Sequence, residues 1–186
     1  MRNQLLKWIL LPLRRLRKNE DGNATIEFVM VFPMVFILFL SSFETGLMMI
    51  RQVVLERAVD TTVRELRLGY IPSPTQEKLR NIICKRAALI SSECRDTLLI
   101  ELRPVSTVTW EPLSSDTTCK NRNTTIHPTP PDDFVKAGSS NEMVLVRVCA
   151  IIKPLFPTTK MGMALNRDGL GGYALVASSA FVNEPR

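Results

Sequence analysis

The sequence predicts an α+β protein: a long N-terminal helix, then a small head with a short helix and an antiparallel sheet of about three strands. Three observations predict it. Residues Ala24 to Phe43 form a largely apolar run in which Glu27 is the only charge. Beyond Gly46 a helical period continues without a stop signal to Leu68. Further on, Thr97–Arg103 and Glu142–Lys153 alternate with the period of two that half-buried strands show, and Tyr173–Asn183 reads as a third strand.

The 186 residues carry a net charge of +6, and its distribution matters more than its total. Arg2, Lys7, Arg14, Arg15, Arg17 and Lys18, set against Glu20 and Asp21, give residues 1–22 a net +4 and leave +2 for the rest. A basic groove for nucleic acid is not indicated. A basic leader beside an apolar run instead fits the rule that keeps Lys and Arg on the cytoplasmic side of a span. Leu5, Leu6, Trp8, Ile9, Leu10, Leu11, Leu13 and Leu16 are interrupted by Lys7 and Pro12. That stretch is short of the roughly 20 residues a span requires, and it suits the cytoplasmic membrane surface.

Ala24 to Phe43 has about the length of a transmembrane helix. A carboxylate at the entrance of such a helix is costly, which makes Glu27 a candidate functional residue. The residues around it read Asp21-Gly22-Asn23-Ala24-Thr25-Ile26-Glu27-Phe28, with Glu27 the fifth residue after Gly22. This arrangement resembles the processing site of type IV prepilins. Pro33 and Phe43-Glu44-Thr45-Gly46 narrow the resemblance to the TadE-like pseudopilins of the tight adherence (Flp) pilus. The chain end, Ala180-Phe181-Val182-Asn183-Glu184-Pro185, is similar to the end of the same family, though less specifically.

The resemblance implies cleavage after Gly22 by a prepilin peptidase, with Asn23 as the mature N-terminus. It implies that Glu27, backed by Phe28, meets the terminal amine of a neighbouring subunit. It also implies the partners: the peptidase, the major pilin, sister minor pilins, the inner-membrane assembly platform and the lipid bilayer. The location implied is single-pass in the bacterial inner membrane, N-terminus cytoplasmic and head periplasmic, with the extracellular pilus as a destination. No cofactor is implied.

Within the span, Pro33 removes one backbone hydrogen bond and predicts a kink. Glu44 falls near the outer membrane boundary and reads as a solvated or snorkelling charge. Val54, Leu55, Ala58, Val59, Thr62 and Leu66 then share one helix face, with Gln52, Glu56, Asp60, Arg64 and Arg67 on the other. The helix is expected over 23–68, capped at Gly69, and about 69 Å long at about 1.5 Å per residue. Its outer half must pack against the head, 69–186.

In the head, Pro72-Ser73-Pro74-Thr75 is a turn with a helix N-cap, and Gln76–Ile90 reads as one helix. In the first strand Leu98, Ile100 and Leu102 share one face, with Glu101 and Arg103 on the other. In the second, Val144, Val146, Val148, Ala150 and Ile152 share one face, leaving Arg147 and Cys149 on the less apolar side. Gly169, Gly171 and Gly172 mark the turn before the third strand. Pro104–Asn141 is rich in Pro, Ser, Thr, Asn and Asp and reads as a long functional or mobile loop.

Cys84, Cys94, Cys119 and Cys149 all follow the apolar run, on the side where disulfides persist. No Cys-x-x-Cys pair occurs and His127 is the single histidine, so disulfides are preferred to zinc. Three connectivities are possible; nearness in sequence favours Cys84 with Cys94 and Cys119 with Cys149. The common catalytic and nucleotide-binding motifs are absent, and His127 reads as a surface residue. Two glycosylation-like triplets, at Asn23 and Asn123, are short enough to arise by chance.

Two functional readings result. In the first the chain is a minor pilin or pseudopilin, not an enzyme, cleaved after Gly22 and acting in assembly or initiation of the pilus. In the second the leader is retained, and a permanently anchored head binds or senses a ligand through the Pro104–Asn141 loop.

Overall fold

The computed structural model describes residues 23–72, 74–106, 109, 119, 143–157 and 171–182. The leader with Gly22, most of the 104–141 loop with His127 and Asn123, Gly169 and the chain end from Asn183 lie outside the described residues. Two compact units are present, 1–42 and 43–186. Among the described residues the architecture is α+β: one long helix, short helices, and a three-stranded antiparallel sheet in the order β1-β2-β3.

Helix α1 spans Asn23–Arg67 and includes Pro33. Its C-terminus is a Schellman motif. Gly69 takes φ 73°, the Gly69 N–H reaches the Leu66 carbonyl and the Tyr70 N–H reaches the Glu65 carbonyl. Glycine adopts that left-handed conformation without the Cβ penalty, which is why the helix stops there.

Helix α2, Gln76–Arg86, starts at Thr75, whose hydroxyl accepts from the Lys78 N–H. Glu77 in its first turn and Lys85 and Arg86 in its last complement the helix dipole. The expected single helix to Ile90 is corrected here. It breaks at Ala87, a 3₁₀ turn follows over Ala88–Ile90, and a separate short helix α3 runs Ser91–Thr97. The break lets Cys84 and Cys94 meet in a disulfide. Its Cα atoms are 5.6 Å apart, whereas ten residues of unbroken helix would separate them by about 15 Å.

The strands are β1 Leu99–Val105, β2 Met143–Ile152 and β3 Tyr173–Val182. All pairing is antiparallel, with Ile100 opposite Val148 and Val148 opposite Ala177. Pro104, which cannot donate to a ladder, is confined to edge strand β1. One sheet face, with Ile100, Val144, Val146, Val148, Ala150, Ile152, Leu175 and Ala177, packs on Leu55, Ala58, Val59 and Val63 of α1. Leu79, Ile83, Ala87 and Ile90 complete the same core. The amphipathic reading of the outer half of α1 therefore holds: Leu55, Ala58, Val59 and Thr62 are buried while Glu56, Asp60, Arg64 and Arg67 are exposed. Gln52, expected on the outer face, is half-buried and donates to the Val176 carbonyl at 2.7 Å.

The second face of the sheet is also partly covered. Glu101, on the face opposite Ile100 as expected, is nevertheless 6% exposed and shares that face with buried Leu99, Cys149 and Ile151. Its carboxylate is paired with the Arg103 guanidinium. Cys149 on this face is bonded to Cys119, with Cα atoms 5.3 Å apart, so the β1–β2 connection is tied to the side of the sheet away from α1.

Candidate assembly and latch sites

The N-terminal part of α1 brings Glu27 and Phe28 onto an exposed helical surface. Asn23 is the first residue of the helix. Four-residue spacing stacks Phe28 on Phe32, with ring centroids 5.1 Å apart, and Phe32 on Phe36, at 5.6 Å. Among the described residues this helix, Ala24–Arg67, is the one long and apolar enough to cross a membrane, and its most apolar stretch is not buried by the rest of the protein. The core helix of a soluble protein would be buried. An unburied apolar stretch of this length requires lipid or other chains around it. It is a candidate membrane anchor.

The second site begins at Glu44, and here the expectation of a solvated charge is overturned. Glu44 is 1% exposed. One carboxylate oxygen accepts from the Leu155 N–H at 3.1 Å and the other from the Phe156 N–H at 2.9 Å. A buried carboxylate is tolerable when backbone donors hold it in this way. Beside it, the Phe43 and Phe156 rings meet edge to face at 6.2 Å.

Two turns further along α1, Arg51 donates to the Lys153 carbonyl at 3.1 Å and to the Tyr173 hydroxyl at 2.9 Å. The Lys153 N–H in turn donates to Glu93 of α3 at 2.8 Å. Glu44, Arg51 and Glu93 thus fasten the segment after β2 at three points. Burial raises the Tyr173 phenol above its ordinary value, against the opposing effect of the Arg51 hydrogen bond and charge. Sequence reading missed this latch because both halves look ordinary locally. The one available signal was a carboxylate, Glu44, that breaks an otherwise apolar helix pattern just past the span.

Exposed Met49 and Val53 adjoin the latch, and with Met48, Tyr173 and Leu175 they line an apolar groove between α1 and β3. Among the described residues no group of three or more His, Cys, Asp or Glu is arranged to hold a metal ion.

In comparisons with known proteins, the model of the family described as TadE-like protein matches residues 22–64, from Gly22 through the latch residues of α1. No curated protein and no solved structure matches the chain. Over that range the helix is similar to the TadE-like family, in agreement with the resemblance carried by Gly22, Glu27, Pro33 and Phe43-Glu44-Thr45-Gly46.

Proposed function

We propose that this chain, TadE-like over residues 22–64, is a minor pilin or pseudopilin, cut after Gly22 by a prepilin peptidase and acting in assembly or initiation of a tight adherence pilus. The TadE-like match suggests a pilus-associated minor pilin, and the family is one of structural components rather than enzymes. The observation that carries the reading is the unburied apolar helix with Glu27 exposed near its start. In lipid that carboxylate is costly. A cationic amine of a newly exposed Asn23 on an adjacent subunit offsets the cost and fixes the stagger between subunits.

The two disulfides suit a head on the oxidising side of the membrane, and the basic leader suits a cytoplasmic N-terminus. This arrangement divides the chain into a leader 1–22, a helix 23–68 and an extracytoplasmic head 69–186. The partners are the peptidase, the major pilin, sister minor pilins and the inner-membrane platform.

Mass spectrometry of protein recovered from membranes, with and without the cognate peptidase, tests the reading. The expected result is an N-terminus at Asn23 that appears only with the peptidase. A chain beginning at Met1 in both samples would remove the partner amine and favour an anchored binding module.

A further inference from the structure

We propose that the turn Lys153–Pro157, latched to α1 by Glu44, is a foot that rests in the headgroup layer of a phospholipid bilayer. The inference rests on the reading of Ala24–Phe43 as a membrane span and adds a second, non-helical lipid contact made by the head.

The first ground is position in the chain. Glu44 directly follows the last residue of the apolar run. The headgroup layer is about 5–8 Å deep on each side of the hydrocarbon, or about one to one and a half turns of helix. The turn of α1 that begins at Glu44 falls within that layer, and Glu44 holds Leu155 and Phe156 at its own level.

The second ground is backbone satisfaction. Irregular backbone is poorly tolerated near lipid because each unpaired N–H is costly where water is scarce. From Lys153 to Pro157 every backbone donor is accounted for. Pro154 and Pro157 have none. The Lys153 N–H is taken by Glu93, and those of Leu155 and Phe156 are taken by Glu44. The same bonds hide the Glu44 charge, so carboxylate and donors are masked together.

The third ground is the character of the exposed surface. Leu155 is 51% exposed and Phe43 49% exposed, although both are large apolar groups. Met49, Ile50 and Val53 extend exposed apolar surface along α1 before the exposed charges of Glu56 and Arg57. Lys153, exposed at the rim of the foot, supplies the cation that anionic headgroups attract. Apolar side chains tipped by a lysine match the chemistry of a bilayer interface.

The test uses the full-length chain with Trp8→Phe and Trp110→Phe, reconstituted in nanodiscs of phosphatidylethanolamine and phosphatidylglycerol. Single tryptophans are placed by Leu155→Trp, by Phe36→Trp in the span and by Leu89→Trp on an exposed part of the head, and lipids brominated near the top of their acyl chains are introduced. The expected result is that Leu155→Trp emission falls to about half or below, that Phe36→Trp is also quenched and that Leu89→Trp is not, as interfacial contact requires. If Leu155→Trp does not fold, Pro157→Trp on the same turn gives the same readout. Quenching at Phe36→Trp without quenching on the foot would overturn the inference while leaving the span reading intact. A foot tryptophan shielded from both brominated lipid and aqueous iodide would also overturn it, by showing a protein partner there. Lack of quenching at Phe36→Trp would instead fail the span reading itself.

Discussion

The Glu44 carboxylate accepts the backbone N–H of Phe156 at 2.9 Å, joining residues 112 positions apart through a group that is 1% exposed. With the Leu155 N–H bound at 3.1 Å, it fastens α1 to the segment after β2, beside the Arg51 bond to the Lys153 carbonyl. Removing it leaves two donors without their partner and a space where the carboxylate was. Glu44→Ala should destabilise the head by about 2–4 kcal/mol, since bonds to charged groups contribute about 1.5–3 kcal/mol each and the effects are not additive. Glu44→Gln keeps one acceptor oxygen and should cost less. Urea unfolding of the detergent-solubilised chain, followed by circular dichroism, measures both.

Glu27 makes the contrasting case: it is exposed and is not among the core residues. The exposed carboxylate lies in the apolar half of α1, remote in sequence from the core residues, the first of which is Leu55. Glu27→Ala should leave urea unfolding of the head unchanged, within about 0.5 kcal/mol as for surface substitutions. It should also leave peptidase processing intact while reducing recovery of the chain with sheared pili by about tenfold, the effect of losing about 1.4 kcal/mol of subunit pairing. Quantitative immunoblotting of the pilus and membrane fractions reads the difference.

The disulfides separate two kinds of constraint. Cys84–Cys94 closes a short loop, with a sequence separation of 10, and both cysteines are fully buried. Cys119–Cys149 closes a longer one, with a separation of 30. Each bond should contribute about 2–4 kcal/mol, with the longer loop giving the larger chain-entropy part. Replacing both cysteines of a pair by Ala and measuring the shift in urea midpoint ranks them. The pair at 84 and 94 should also lose the fixed break between α2 and α3, visible as faster hydrogen exchange over residues 84–97.

Tyr173 gives the head a dependence on alkaline pH. Its folded-state value is raised above the ordinary 10.0, chiefly by burial. A raised value means that folding favours the neutral phenol. That stability is present in full below pH 10 and is lost as pH rises through the folded value. Stability of the wild-type head should therefore fall above about pH 10 more steeply than that of Tyr173→Phe, which has no proton to lose. Below that range Tyr173→Phe should be the less stable of the two, by about 1.5 kcal/mol, the low end for a hydrogen bond to a charged group, since Arg51 keeps its bond to the Lys153 carbonyl. Urea midpoints across pH 8–11, compared as differences between the two proteins, isolate the phenol from the lysines that titrate nearby in pH.

Much of α1 was legible because its determinants are local. A continuous 3.6 period, a span-length apolar run and Gly69 at the stop are all read within a few residues of where they act. The strands were legible for the same reason: alternation in Val144, Val146, Val148, Ala150 and Ile152 marks one buried face, and the observed ends differ from the expected ones by two residues at most. The motif from Gly22 to Phe28 was likewise visible as a linear pattern, and so was the Phe43–Gly46 step.

What only the tertiary structure decided involves residues whose environment comes from distant chain. Glu44 reads as a solvated charge until Leu155 and Phe156 are brought to it from more than a hundred residues away. Glu101 is placed on the second face of strand β1 by alternation, but its burial there, beside Cys149, is decided only by what covers that face. The helix expected to run to Ile90 looks continuous in sequence, but in the structure it breaks at Ala87, in the stretch that brings Cys84 and Cys94 within 5.6 Å between Cα atoms. Period and propensity describe how a segment is built and which of its sides is apolar. Whether a carboxylate or an amide is masked depends on which other segment arrives to mask it, and that is set by closure of the whole core.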